Sequence, residues 1–401
     1  MKGVDTVPVL PAKRVREMPP SGIRKFFDLV SQMDGVISLG VGEPDFVTPW
    51  RIREAAIYAT ERGATRYTSN YGIPELRAQI AKYLEANWGV RYDPTCEILV
   101  TVGVSEAVDL ACRAILEPGD EVLLPEPCYV SYKPCVELAG GVAVPIVCRA
   151  ERGFHVDVDD LAAAVTPKTK AILINYPNNP TGASLTRREL EDIAQLAQEH
   201  NLLVLSDEIY AKLTYDMKHT CFASLPGMRN RTILFNGFSK AYAMTGWRLG
   251  YAAAPAPFIE AMCKIHQYTI LCAGSVPQFA AIEALRNGEP EVEMMVDSYN
   301  HRRRLIVKGL NRIGLPCHLP EGAFYAFPSI KHTGMTSEEF CEKLLMEEKV
   351  AVVPGSVFGE CGEGYIRCSY AASVQEITEA LERISRFLKR NVGVSGAEEA
   401  A

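Results

Sequence analysis

The chain has no run of about 18 or more apolar residues, so no membrane-spanning helix is expected. It has no CxxC pair, no internal repeat and no long low-complexity segment. It also lacks a basic excess: 42 Lys and Arg stand against 49 Asp and Glu, a formal net charge of −7. Phosphate binding usually leaves a basic footprint, so a nucleic-acid partner is not expected. The opening MKGVDTVPVLPAKRVREMPPSG is broken by charges and prolines every few positions. It lacks the apolar core of a secretory signal, and a cytoplasmic location is expected. The twelve cysteines are scattered singly, from Cys96 to Cys368. Most lie in apolar stretches such as AVDLACRAIL, where Cys acts as a small core residue. Free thiols are therefore expected. Neither the cysteines nor the seven histidines show zinc-ligand spacing, and no metal is expected.

What is present is a globular composition: 401 residues, 48% hydrophobic and 23% charged. At about 150 residues per domain the length allows two or three domains. Short β-branched runs read as buried parallel strands: EILVTV, EVLLP, AILINYP, LLVLSDE and TILFNGF. Helical patterns lie between them, such as SEAVDLACRAIL and TRRELEDIAQLAQEHN. In the second, Leu190, Ile193, Ala194, Leu196 and Ala197 form an apolar stripe, and Thr186 with Glu189 has capping-box spacing. Strand and helix in regular alternation predict an α/β unit with a mostly parallel sheet flanked by helices.

After residue 286 the texture changes. A long charged helical stretch leads to GAFYAFPSI, a helix at TSEEFCEKLLMEEK, VAVVPGSVFG, YIRCSYA and a final helix. The expected division is a large α/β unit over 45–285 and a smaller α+β unit made of 1–44 and 286–401. The last residues, GVSGAEEAA, are expected to fray.

Ligands of open α/β sheets sit at the carboxyl ends of the strands. Four strand ends carry polar or glycine-rich signals: TVGVSEA, NYPNNPTG, SDEIY and NGFSKAYAMTGWR. Lys240 follows a strand in small, apolar surroundings, where a lysine can act as a nucleophile of lowered pKa. A lone lysine of this kind is more often an ordinary surface residue. Arg248 can reach a phosphate or form a structural ion pair. Asp207 ends an apolar run and can pair with a buried cation or cap a following helix, and Glu208 is ambiguous in the same way. Tyr210 can donate a phenolic hydrogen bond or simply pack. Asn178-Asn179-Pro180-Thr181-Gly182 is a turn whose amides can donate to an anionic oxygen. Gly103-Val104-Ser105 lies between strand and helix, where free backbone N–H groups bind phosphate. Arg367, from the C-terminal unit, can grip a carboxylate with both arms of its guanidinium or serve an internal ion pair. Each signal is weak alone. Together they supply the contacts that one cofactor needs, pyridoxal 5′-phosphate.

These pieces, in this order, resemble the class I/II aminotransferases of pyridoxal-phosphate fold type I. The resemblance runs from SGIRKF at 21–26 to about residue 390 and includes SLGVGEPDF, RYTSNYGIPELR, PCYVSY, SKAYAMTGWRLGY and EGAFYAF. It is nearest to the bacterial and archaeal branch with aspartate, aromatic, alanine-type and acyl-diaminopimelate aminotransferases. The resemblance implies roles. Lys240 matches the lysine that binds the cofactor covalently and then serves as the base. Asp207 matches the partner of the ring nitrogen, and Tyr210 and Asn179 match the donors to the ring oxygen. Tyr129 matches the aromatic residue on the ring face. Arg248 with Gly103, Val104 and Ser105 matches the phosphate site. Tyr67 matches a tyrosine that reaches the neighbouring subunit's phosphate, which implies a homodimer with shared active sites. Arg367 matches the grip on the substrate α-carboxylate. Gly40 matches a glycine whose backbone passes close to the substrate, and Ile23 lies near the cleft.

Two departures bear on the substrate. HQYTILCAGS has no arginine where animal-type aspartate enzymes carry one for the second carboxylate, and Ser105 stands where some bacterial aspartate enzymes place a lysine. The aromatic run Phe324-Tyr325 suggests a pocket for apolar, aromatic or long side chains. The expected activity is amino transfer from an L-amino acid to a 2-oxo acid. The alternative on the same scaffold is a cysteine-S-conjugate β-lyase, which product analysis with cystathionine separates. A cofactor-binding regulator is a third reading, disfavoured because no basic recognition helix precedes the fold.

Overall fold

The computed structural model describes residues 9–20, 22 and 33–392. Ile23 and the tail GVSGAEEAA lie outside the described residues. A short strand β1 (Ile37–Ser38) precedes the main sheet. That sheet contains β2 (Ile98–Thr101), β3 (Glu121–Glu126), β4 (Val142–Val147), β5 (Thr169–Asn175), β6 (Leu203–Asp207), β7 (Thr232–Gly237) and β8 (Gly250–Ala253). Their spatial order is β2-β8-β7-β6-β5-β3-β4. β8 runs antiparallel to both neighbours, and every other pairing is parallel.

The sheet is covered on both faces, which is why its strands read as unbroken apolar runs. In β5, Ala171 and Leu173 join the core on one face, and Ile172 and Ile174 join the core on the other. The first face is covered by helices Gly103–Ile115, Tyr132–Leu138 and Ala256–Thr269. Helices Pro74–Trp88, Val158–Ala164, Arg187–Glu199 and Ser275–Asn287 cover the other. Burying each such Leu or Ile is worth about 1.5–3 kcal/mol.

Local sequence sets several helix starts. Thr186 accepts the Glu189 N–H, and the Glu189 carboxylate accepts the Thr186 N–H at 2.8 Å, so the capping box is formed. The stripe from Leu190 to Ala197 faces the core. Thr336 with Glu339 and Ser373 with Glu376 repeat the device at Ser337–Glu348 and Val374–Asn391.

Beyond the long helix Glu289–Arg312, β9 (Tyr325–Ala326), β11 (Val353–Pro354) and β12 (Ile366–Ser369) form an antiparallel sheet of order β11-β12-β9. β1 pairs in parallel with β10 (Val350–Ala351). The chain leaving β1 therefore starts against this C-terminal unit and then crosses to the main sheet.

Candidate active site

The carboxyl ends of β5, β6 and β7 and the turn after β2 open into one cavity of about 570 Å³. Tyr325 from β9, Arg367 from β12 and Val41–Glu43 close its other side.

Lys240 follows β7 and lines the cavity. Its Nζ donates to the Gly42 carbonyl at 2.6 Å and lies 5.9 Å from the centre of the Tyr210 ring. Burial, then the nearby Arg367 cation, draws its pKa down to about 8.

Asp207 is the last residue of β6 and is 4% exposed. Its Oδ2 accepts the Tyr132 hydroxyl at 2.7 Å, and its Oδ1 accepts the Ile209 N–H at 3.1 Å. No helix follows it, so the capping alternative does not arise. Burial pushes the carboxyl up to about 6, and the hydrogen bond from Tyr132 opposes that rise. Asn175 donates to the Asp207 carbonyl at 2.9 Å and accepts the Asn179 N–H at 3.1 Å. The turn of Asn179 is thus tied to the end of β6. Glu208 faces away from the cavity. It accepts the Phe222 N–H at 2.9 Å and meets His219 Nε2 at 2.7 Å.

Arg367 is 2% exposed. Nη1 donates to Asn179 Oδ1 at 2.9 Å and Nη2 to the Gly40 carbonyl at 2.7 Å. Its guanidinium lies 4.5 Å from the centre of the Tyr325 ring, and its Nε has no partner. Tyr210 and Tyr325 share a hydrogen bond at 2.9 Å between their hydroxyls, and burial raises the pKa of both.

Arg248 has a left-handed backbone, with φ of 52°, and its Nη1 donates to the Thr245 carbonyl at 3.0 Å. Its guanidinium lies against the turn that starts Gly103–Ile115. A Cβ on Gly103, where φ is +74°, would stand 2.7 Å from Arg248 Nη2. Only glycine supports both that backbone and that approach. Val104 and Ser105 line the cavity beside it.

The structure therefore brings Lys240, Asp207, Tyr210, Asn179, Tyr129, Val104, Ser105, Arg248 and Arg367 to one cavity. Gly103 stands immediately behind Arg248. Gly40 is outside the lining, its carbonyl turned to Arg367. Gly42 is the glycine beside the reactive groups: a Cβ there would stand 2.7 Å from the Tyr325 hydroxyl. Tyr67 is 83% exposed and away from this chain's own cavity. Phe324 also departs from the expected aromatic wall. It turns into the core against Tyr210 and Tyr299, and Tyr325 alone lines the cavity.

Sequence reading missed Tyr132 and Asn175. Tyr132 stands three residues after Tyr129, where its ring meets that of Tyr129 edge to face at 5.5 Å. The spacing was visible, but the Asp207 partner is set only by the fold. Among the described residues no cluster of three or more His, Cys, Asp or Glu is placed to hold a metal, and the cysteines are all free. No described helix is long and apolar enough to cross a membrane.

Comparison with known proteins gives a consistent result. Residues 34–384 match the family Aminotransferase class I and II. A putative aminotransferase, YugH, of Bacillus subtilis is 58% identical over 94% of this chain and 97% of its own length. An aspartate aminotransferase of Pyrococcus abyssi is 50% identical over 92% of this chain and 96% of its own. The crystal structure of an aromatic aminotransferase from Pyrococcus horikoshii superposes with a TM-score of 0.88 at 48% identity, covering 91% of this chain and 99% of that one.

Proposed function

The chain belongs to the class I and II aminotransferase family, and we propose that its amino donors are L-amino acids with apolar, aromatic or long side chains. It is a pyridoxal-phosphate-dependent aminotransferase, passing an amino group from an amino acid to a 2-oxo acid. The names of the relatives favour transfer over β-elimination.

The residues of the cavity fit the cofactor. A buried carboxylate, a lysine of lowered pKa and an arginine against a glycine-opened helix start occupy one space. Bound pyridoxal phosphate supplies an electron sink for the pair released when a bond to the substrate Cα breaks. In the proposed arrangement Lys240 holds the cofactor covalently, and Asp207 pairs with its ring nitrogen. Asn179 spends Oδ1 on Arg367, which leaves its amide hydrogens to donate to the ring oxygen beside Tyr210. Tyr129 covers the ring face. Arg248 and the turn Gly103–Ser105 take the phosphate, where helix N–H groups favour an anion. Arg367 grips the substrate α-carboxylate with the Gly40 backbone behind it, and its unpartnered Nε–H is a donor left over for that task. Lys240 Nζ would also take the proton from the substrate Cα, for which a pKa of about 8 suits it.

One observation carries the donor preference. The cations among the described lining residues are Lys240, Arg248 and Arg367, and each already has a task. A second substrate carboxylate finds no further cation there, since Ser105 is neutral and the buried His266 is engaged by Glu106.

The proposal includes a homodimer with shared sites, in which Tyr67 reaches the neighbour's phosphate. Trp50, Ile57 and Tyr58 lie exposed on one helix, with Tyr268, Ile270 and Leu271 also exposed, which supports a contact surface. Asn70 ties the Tyr67 segment to the Leu271 carbonyl at 2.7 Å. A cytoplasmic location and the division into 45–285 against 1–44 with 286–401 complete it.

The test is kcat/KM for phenylalanine, alanine, acyl-diaminopimelate, glutamate and aspartate with a common acceptor. A neutral donor should exceed aspartate. A strong preference for aspartate overturns the donor assignment.

A further inference from the structure

Beneath the turn Gly103–Ser105 lies a pair that the reaction does not use directly, a partly buried carboxylate against a fully buried histidine. Glu106 stands in the first turn of helix Gly103–Ile115. Its Oε2 accepts the Val102 N–H at 2.5 Å, which fixes the residue that caps this helix. Its Oε1 meets His266 Nδ1 at 2.8 Å. His266 comes from the last turn of Ala256–Thr269, is fully buried, and has no partner at Nε2.

A carboxylate only accepts hydrogen bonds, so His266 must place its proton on Nδ1. That donor locks the Glu106 rotamer and so the backbone before Gly103. It also bears on charge. Glu106 sits one residue beyond Ser105, under the place assigned to a phosphate. A lone carboxylate there opposes a second anion, and a donor on its far oxygen draws its charge away from the turn. His266 is placed to do this from the opposite side of Glu106, out of reach of the cofactor itself.

We propose that His266 is a positioning residue for the cofactor phosphate, acting through Glu106 on the helix start at Val102–Ser105. The inference rests on the reading that this turn and Arg248 hold the phosphate.

The experiment titrates the cofactor-free protein with pyridoxal 5′-phosphate and, separately, with pyridoxal, which lacks the phosphate. The ratio of the two dissociation constants reports the phosphate contribution alone. Phe at 266 fills the space without a donor; Asn can place an amide N–H near the Nδ1 position. His266→Phe should shrink the ratio roughly tenfold or more, the scale of a hydrogen bond to a charged group. Pyridoxal binding itself should stay within about threefold. His266→Asn should restore most of the ratio. If His266→Phe does not fold, His266→Gln, whose amide sits one bond farther out, should lower the ratio at least about threefold. Arg248→Ala is the control. If it shrinks the ratio and the His266 variants do not, the His266 inference is overturned and the phosphate site stands. If Arg248→Ala leaves the ratio unchanged, the phosphate reading itself fails. Equal loss for both ligands in His266→Phe, or no recovery in His266→Asn, overturns a positioning role.

Discussion

His155 links three parts of the chain that frame the turn of Asn179. Its Nδ1 lies 2.7 Å from Glu189, at the start of helix Arg187–Glu199. Its Nε2 lies 3.1 Å from Glu321, whose carboxylate also accepts the Ser184 N–H at 2.7 Å. The N–H groups of Glu321 and Gly322 donate to the Gly182 carbonyl at 2.8 and 2.9 Å, so the clamp holds the approach to β9 against the Asn178–Gly182 turn. Burial lowers the His155 pKa, but the hydrogen bonds to the two carboxylates outweigh it and hold the group at about 9. Burial raises Glu321, and His155 with its other donors brings it to about 2.

A histidine raised from 6.5 to about 9 in the folded protein contributes about 3 kcal/mol at most. That contribution is complete below pH 6.5, the unfolded value, and is lost as the pH climbs through about 9. The perturbation is His155→Gln, which keeps hydrogen bonding but cannot carry charge. The assay is urea unfolding of both proteins at about pH 6 and about pH 10, at one fixed protein concentration, where the carboxylates stay ionised. The wild-type advantage at the lower pH should exceed that at the higher pH by roughly 3 kcal/mol or less, with 1 kcal/mol already resolvable. An advantage equal at both pH values refutes the charged clamp.

Three further outcomes follow from the site. Arg367→Ala should lower kcat/KM for amino donors about 30-fold or more, because truncating a buried, hydrogen-bonded charge pair costs roughly 2–5 kcal/mol; Arg367→Lys should recover only part, since lysine lacks the planar fork. Gly103→Ala places a Cβ 2.7 Å from Arg248 Nη2 at a φ of +74°, and cofactor titration should show affinity reduced about tenfold. Tyr132→Phe removes a hydrogen bond that holds the Asp207 pKa down. In the cofactor-free protein that pKa should rise above about 6, and the acid-side loss of cofactor binding should move to higher pH.

Much of the main sheet was legible because burial on both faces makes its strands nearly pure apolar runs. The strands that escaped notice break that template. β4 is an edge strand with Pro145 inside and several half-exposed positions. β8 is four residues of Gly, Tyr and Ala, running against its neighbours. The capping box at Thr186 was legible because both of its bonds are local. Individual site residues were ambiguous because each has a common structural role elsewhere, and their meaning comes from convergence. Tyr132 and Asn175 act through Asp207, a partner that sequence spacing does not identify. Phe324 and Tyr325 looked like one aromatic wall, yet adjacent residues on an extended backbone point opposite ways. Only Tyr325 faces the cavity.

Lys240 is assigned here as the residue that carries the cofactor in this cavity, and borohydride reduction of the cofactor-loaded protein followed by peptide mapping tests that assignment. A stable pyridoxyl group should appear on Lys240, and both label and transamination should be lost in Lys240→Ala. A label on another lysine, with transamination surviving in Lys240→Ala, would contradict it.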